Sequence, residues 1–314
     1  MIKERPEIDF SKLSTYSIYD RKSKVTLDDF ARPCSKGGSF KSFLDSLPNQ
    51  LGASDIRTVI NAIVTAVKND RTVMLAMGAH VIKVGLNPIL IQLIEKGIIH
   101  AVALNGAGII HDTELALAGK TSEDVSAVLG DGQFGMARET AEFICNAIQT
   151  SVQSSAGLGT AIGQAIIDNN LPYANQSLIA TCVRMNIPVT VHVAIGTDIV
   201  HMHHGFDPEA AGAASYKDFN TFSSVVATLT NGVYLNVGSA VILPEVFLKA
   251  LTLTRNLGFP VHSFTAVNLD FIRQYRPLTN VVNRPTQSNG VGINLIGHHE
   301  ILLPLIAWGV MESL

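Results

Sequence analysis

The feature that most constrains this chain is a series of short, uninterrupted apolar runs set between stretches that read as helices. Thr72–Met77, Ile98–Leu104, Pro188–Ile195, Gly232–Val237 and Pro260–Val267 each read as a strand without a polar face. Such strands are buried on both sides, and the segments between them must supply the covering layers. Those segments carry helix signals. Ser54-Asp55 can cap a helix whose apolar positions Ile56, Val59, Ile60, Ile63, Val64 and Val67 fall at helical spacing. Pro88 suits the first turn of the next helix and Gly97 the position just past its end. Phe134–Ser151, Gln176–Asn186 and Leu243–Leu257 fill further gaps. The fold class is therefore α/β, a three-layer, doubly wound, mostly parallel sheet.

The chain has 314 residues, enough for one large α/β domain. Residues 1–50 differ from the rest: charged at first, then Ser35-Lys36-Gly37-Gly38-Ser39, then a short amphipathic piece at Phe40–Leu47. They read as an N-terminal arm packed on the body or on a neighbouring subunit, with 51–314 as a single α/β nucleotide-binding domain. Apolar residues make up 47% and charged ones 16%, which excludes a disordered chain. A net charge of −3 argues against nucleic acid as the main partner. Cys34, Cys145 and Cys182 are too widely spaced for a disulfide framework or a zinc ribbon, so a cytoplasmic setting is expected. The mixed-charge N-terminus lacks the apolar run of a signal peptide. Phe143–Ile167 and Phe219–Pro244 are uncharged but rich in Asn, Ser, Thr or Gln, and read as buried elements rather than membrane spans. So few charges leave apolar surface to cover, and a closed homo-oligomer is the usual cover.

In doubly wound sheets, ligands bind at the carboxyl ends of the strands, where the chain order reverses. That rule selects five loops: Gly78-Ala79-His80, Asn105–Asp112, Gly196–His204, Asn236–Ala240 and the segment after Asn268. Asn105-Gly106-Ala107-Gly108 is either a backbone cradle for a phosphate or ribose or simply a tight strand-to-helix turn. Asp198 suits a ribose hydroxyl pair, a metal or an amine, and equally a helix cap. His201, His203 and His204, with His192, His298 and His299, would place six histidines near one sheet end. They fit a metal site, a polar or anion-binding rim, or a chance grouping on the surface. Gly157–Gly163 imitates a dinucleotide glycine pattern but follows a helix rather than a strand, so a glycine-rich helix start or a subunit contact is expected there. Arg273, Tyr275, Arg276 and Arg284 would suit an anion, or salt bridges to the arm.

Taken together, the strand-end loops resemble the deoxyhypusine synthase family, NAD-using enzymes with a three-layer, Rossmann-like α/β fold. Thr72–Leu117 is similar to the family's first nucleotide segment, with Asn105-Gly106-Ala107-Gly108 where the family has Thr-Ala-Gly-Gly. Ile187–His204 resembles its Ile-Pro-Val…Thr-Asp-Gly-Ser segment and keeps Pro188, Val189, Thr197 and Asp198. Tyr234–Val241 resembles its Leu-Gly-Gly-Gly segment, Asn283-Arg284-Pro285 its Ala-Arg-Pro, and Leu303-Pro304-Leu305 its Phe-Pro-Leu. The resemblance covers roughly residues 50–314. It implies bound NAD, a homotetramer, and cofactor contacts at Ala79, His80, Asn105, Gly106, Ala107, Gly108, Asp198, Gly238, Ser239, His298 and His299.

The departures redirect the chemistry. Counted from Arg284-Pro285, the family's imine-forming lysine stands as Ile293, which cannot form an imine. Its polyamine-gripping acids fall at His111, His203 and Gln287. The expectation is a transferase or oxidoreductase that uses NAD on a neutral or anionic small molecule other than spermidine. His203, His111 and Asp198 are its catalytic candidates, and no metal set is assigned. A non-catalytic nucleotide-binding protein and a histidine-based metalloenzyme on the same fold are the alternatives.

Overall fold

A computed structural model describes residues 5–314; residues 1–4, the start of the mixed-charge N-terminus, lie outside the described residues. Residues 5–39 form only two 3-10 turns, Phe10–Lys12 and Leu27–Asp29, and their side chains are almost all exposed. Packing on the body begins at α1 (Phe40–Ser46), where Leu44 is buried and the Phe40 ring stacks on Trp308 at 5.0 Å. The order continues with α2 (Leu51–Lys68), β1 (Val73–Met77), the single turn α3 (His80–Lys83), α4 (Asn87–Glu95) and β2 (Ala101–Asn105). Next come α5 (Gly106–Ala118), the single turn α6 (Val125–Val128), α7 (Arg138–Ser154), α8 (Leu158–Asp168), α9 (Leu178–Arg184) and β3 (Val189–His192). The last part holds α10 (Pro208–Val226), β4 (Val233–Val237), α11 (Ile242–Asn256), β5 (Thr265–Asp270), the short α12 (Tyr275–Pro277), β6 (Val291–Ile296) and α13 (His299–Ser313).

All six strands are parallel, in the order β3-β2-β1-β4-β5-β6. The chain runs outward from β1 to β3, then crosses back to start again at β4. The switch point lies between β1 and β4, the position at which folds of this order open a ligand crevice. Alternate strand residues feed two cores. Leu75, Leu104, Val237, Leu269 and Leu295 face one side, packed with residues of α2, α4, α8, α9 and α13. Met74, Tyr234 and the small Ala76, Ala103 and Ala266 face the other, against α10 and α11. No helix among the described residues is long and apolar enough to cross a membrane.

Two expectations shift. The fifth strand runs Thr265–Asp270 rather than Pro260–Val267, and the unforeseen sixth, Val291–Ile296, pairs along its outer side. Ile293 lies in that sixth strand, 6% exposed, with its side chain in the core shared with α2 and α13. The Gly157–Gly163 stretch is a helix start, and its glycines have a packing reason. A Cβ on Gly159 would stand 2.3 Å from the Val189 carbonyl oxygen, and one on Gly157 would stand 1.9 Å from Asp218 Oδ1. The Asp218 carboxylate accepts the backbone N–H groups of Gly159 at 2.9 Å and Val191 at 2.8 Å, tying α8 to β3.

Candidate functional site

The ends of β2 and β3 form the first half of the site. Asn105 ends β2 and caps α5, its side-chain oxygen accepting the Gly108 N–H at 3.2 Å. The cap leaves Gly106 and Ala107 at the start of the helix, facing the loop after β3. Asp198 comes from that loop and is 7% exposed. A Cβ on Gly106 would stand 1.8 Å from Asp198 Oδ2, so only glycine lets the carboxylate settle there. That oxygen has no hydrogen-bond partner in the chain. His201 Nε2 is 3.9 Å from it, while His201 Nδ1 accepts the N–H groups of Gly196 and Asp198 at 3.1 and 3.2 Å. Burial pushes the Asp198 carboxyl above its usual range, and the nearby His201 opposes that shift.

At the switch point the backbones of two loops touch. A Cβ on Gly78 would stand 2.3 Å from the Gly238 carbonyl oxygen. Ala79 and Ser239 are buried beside this contact, and Ser239 Oγ accepts the Leu243 N–H at the start of α11. Gly238 has φ +64°, which lets its loop lie against His299.

The ends of β5 and β6 form the second half. His299 opens α13 and is 1% exposed; its Nε2–H donates to the Leu269 carbonyl at 3.3 Å, and its Nδ1 has no partner. Burial holds this imidazole below its usual range. Around it stand three exposed rings: His80 edge-on at 5.7 Å, Phe271 at 6.1 Å, and His298, which lies nearly parallel to Phe271 at 6.4 Å.

The remaining candidates scatter. His192 is sealed on the sheet, 4% exposed with its ring edge-on to Phe222, so it is not part of a rim. His111 sits one and a half turns into α5, with Nδ1 2.7 Å from Thr121 Oγ1, and burial lowers its pKa to about 4. His203 Nε2–H donates to the Gly135 carbonyl at 2.9 Å. Both therefore hold the excursion between α5 and α7, at separate points. His204 is exposed. Arg276 pairs with Glu245 of α11 at 3.4 Å and Arg284 donates to Asn280 Oδ1 at 2.9 Å, so these arginines brace α11 and α12 rather than the arm. Among the described residues, no three His, Cys, Asp or Glu side chains converge as a metal would require. Two signals escaped sequence reasoning: the Phe271 ring, which follows a strand placed too early, and the unpaired His299 Nδ1, which only coordinates reveal.

No family model matches the chain, and no curated protein sequence matches it. Solved structures do. A protein of Entamoeba histolytica assigned as a deoxyhypusine synthase superimposes with a TM-score of 0.56 at 13% identity, covering 90% of this chain and 96% of its own. AgrE, solved in ternary complex with ornithine and NAD+, gives 0.54 at 14% identity over 85% of this chain. ArgZ, an arginine dihydrolase from the ornithine-ammonia cycle in cyanobacteria, gives 0.52 at 16% identity over 82%. This chain spans about a third of the length of those last two, 34% and 32%. The likeness is one of fold.

Proposed function

We propose that the protein is a NAD-using enzyme on a deoxyhypusine synthase-like fold, acting on a small neutral or anionic molecule other than spermidine and forming no lysine imine. The observation that carries this reading is Asp198. A buried carboxylate oxygen without a partner, at the strand ends of a sheet ordered 3-2-1-4-5-6, is an acceptor awaiting a donor, and a ribose hydroxyl supplies one. A solved neighbour of the same fold holds NAD+. The donor set of the loops suits the rest of a dinucleotide. Because Asn105 already takes the Gly108 N–H and Asp198 covers Gly106, the turn Asn105–Gly108 borders a ribose more readily than a phosphate. The phosphates fit better at the switch point, over Ala79, His80, Gly238 and Ser239.

Bound there, NAD supplies a hydride acceptor. The chain supplies the proton chemistry. His203 donates from Nε2 to a carbonyl, which leaves Nδ1 as the basic nitrogen, the tautomer a general base needs. His111, neutral at pH 7, gives no counter-charge to an ammonium, and neither does Gln287. A desolvated polycation would therefore go unpaired, which favours neutral or anionic substrates. A cytoplasmic homotetramer is the setting that accompanies this reading.

Calorimetric titration with NAD tests it. Wild type should bind, and Asp198→Ala should weaken binding at least tenfold, about 1.4 kcal/mol. Failure of the wild type to bind NAD would sink the reading.

A further inference from the structure

We infer that the ring-lined box at the ends of β1, β5 and β6 holds the nicotinamide end of the dinucleotide, with His299 Nδ1 accepting a hydrogen bond from the carboxamide N–H. The inference rests on the NAD reading above and assigns its second half. The Leu269 carbonyl can only accept, so His299 must carry its proton on Nε2. Nδ1 is then a bare lone pair, buried and unsatisfied, and such an atom calls for a donor. Burial favours the neutral imidazole, so the box offers an anion no charge at this residue. Asp270, 3% exposed at the end of β5, adds a negative charge nearby and weighs further against an anion. A neutral, flat group with an N–H at its edge fits.

The walls fit the same group. Phe271 and His298 present near-parallel planes, 10° apart, and Phe271 is 48% exposed. Exposed flat rings are surfaces on which a heteroaromatic ring stacks favourably. His80 packs edge-on over His299 and is exposed, so its side chain is the part free to swing aside as a ligand enters. Gly238 completes the floor: a Cβ there would stand 2.8 Å from His299 Cε1.

Placement selects nicotinamide over adenine. Both rings carry an exocyclic N–H, so the box alone does not separate them. However, Asp198 serves the β2–β3 half, and in sheets of this order an acidic side chain on that half takes the adenosine ribose. β2 and β5 are three strand spacings apart, about 14 Å. A dinucleotide laid across the switch point from Asp198 thus brings its other ring to Phe271 and His299.

Calorimetry with NAD and with ADP-ribose, which lacks the nicotinamide, separates the outcomes on the full chain. Phe271→Ala, at an exposed position, should weaken NAD at least tenfold and leave ADP-ribose within twofold. His299→Phe, which keeps a ring but removes the acceptor, should do the same, with its thermal midpoint recorded to show that it folds. Asp198→Ala should weaken both ligands equally. Equal loss of NAD and ADP-ribose in the box variants would place adenine there and overturn the inference, as would NAD affinity unchanged in Phe271→Ala. Either result leaves NAD binding itself standing. If wild type binds neither ligand, the inference falls together with the NAD reading.

Discussion

Asn236 donates its side-chain amide to the side-chain carbonyl of Asn268, 2.8 Å away on the neighbouring strand. Asn268 in turn donates to Asn294 at 2.9 Å, because the parallel register sets all three side by side across β4, β5 and β6. Asn236 and Asn268 are fully buried. Asn268 is the middle link, and replacing it by Ala breaks two hydrogen bonds and leaves two buried amide groups unpaired. The expected cost is about 2–4 kcal/mol, read as a lower urea midpoint. A loss under 1 kcal/mol would mean that the row contributes little.

Stability against pH should reveal two opposed groups beside β3. Burial lowers the His192 pKa to about 4, so its contribution is present above the unfolded value near 6.5 and is lost as pH falls from there toward 4. Asp218 runs the other way. Burial raises its pKa to about 7, so its contribution is present below about 4 and lost as pH rises through 7. Between pH 7.5 and 5 the two largely cancel, each worth about 2 kcal/mol over that interval. His192→Phe should therefore become more stable at pH 5 than at 7.5, and Asp218→Asn less stable. Urea unfolding at both pH values checks this; variants that keep the wild-type slope would contradict it.

Glycine substitutions should have opposite signs at two helices. Gly159→Ala forces a Cβ against the Val189 carbonyl, backbone that has little room to yield, and should cost about 3 kcal/mol or more. Gly212→Ala, at an exposed position inside α10 with nothing within 4 Å of its Cβ, should stabilise by about 0.5–1 kcal/mol. Thermal midpoints of the two variants decide.

The arm should dock on a second copy of the chain. Phe10, Tyr16, Tyr19, Leu27 and Phe30 are each at least 59% exposed, and Trp308 on α13 is 58% exposed. Apolar surface on this scale marks an interface, and closed symmetric assembly buries it. Light scattering should give a multiple of 33.6 kDa, and deletion of residues 5–39 should lower it. A wild-type monomer mass at micromolar concentration would refute the expectation.

The fold was legible where strands are apolar on both faces. Leu75 or Val102 looks the same to a reader of sequence as to the core. β5 was placed early because its inner positions include Asn268 and Asp270, polar residues that read as loop until the neighbouring asparagines are seen to satisfy them. β6 was missed because it is the sheet's edge: Val291, Gly292 and Ile296 are exposed, and the apolar run is broken. Of the site, the strand-end loops could be found by rule. Which histidines face a ligand could not, since spacing alone does not separate His192, sealed under Phe222, from His298, open to solvent.

The turn that most imitates a phosphate cradle already has its anion. Asp218 is in effect a tethered ligand for the glycine turn before α8, presented by the chain at a local concentration that no free phosphate in solution matches. A vacant glycine-rich helix start would draw nucleotides to the wrong end of the molecule, in competition with the crevice at β1 and β4. By filling it from within, the chain keeps one address for nucleotides rather than two.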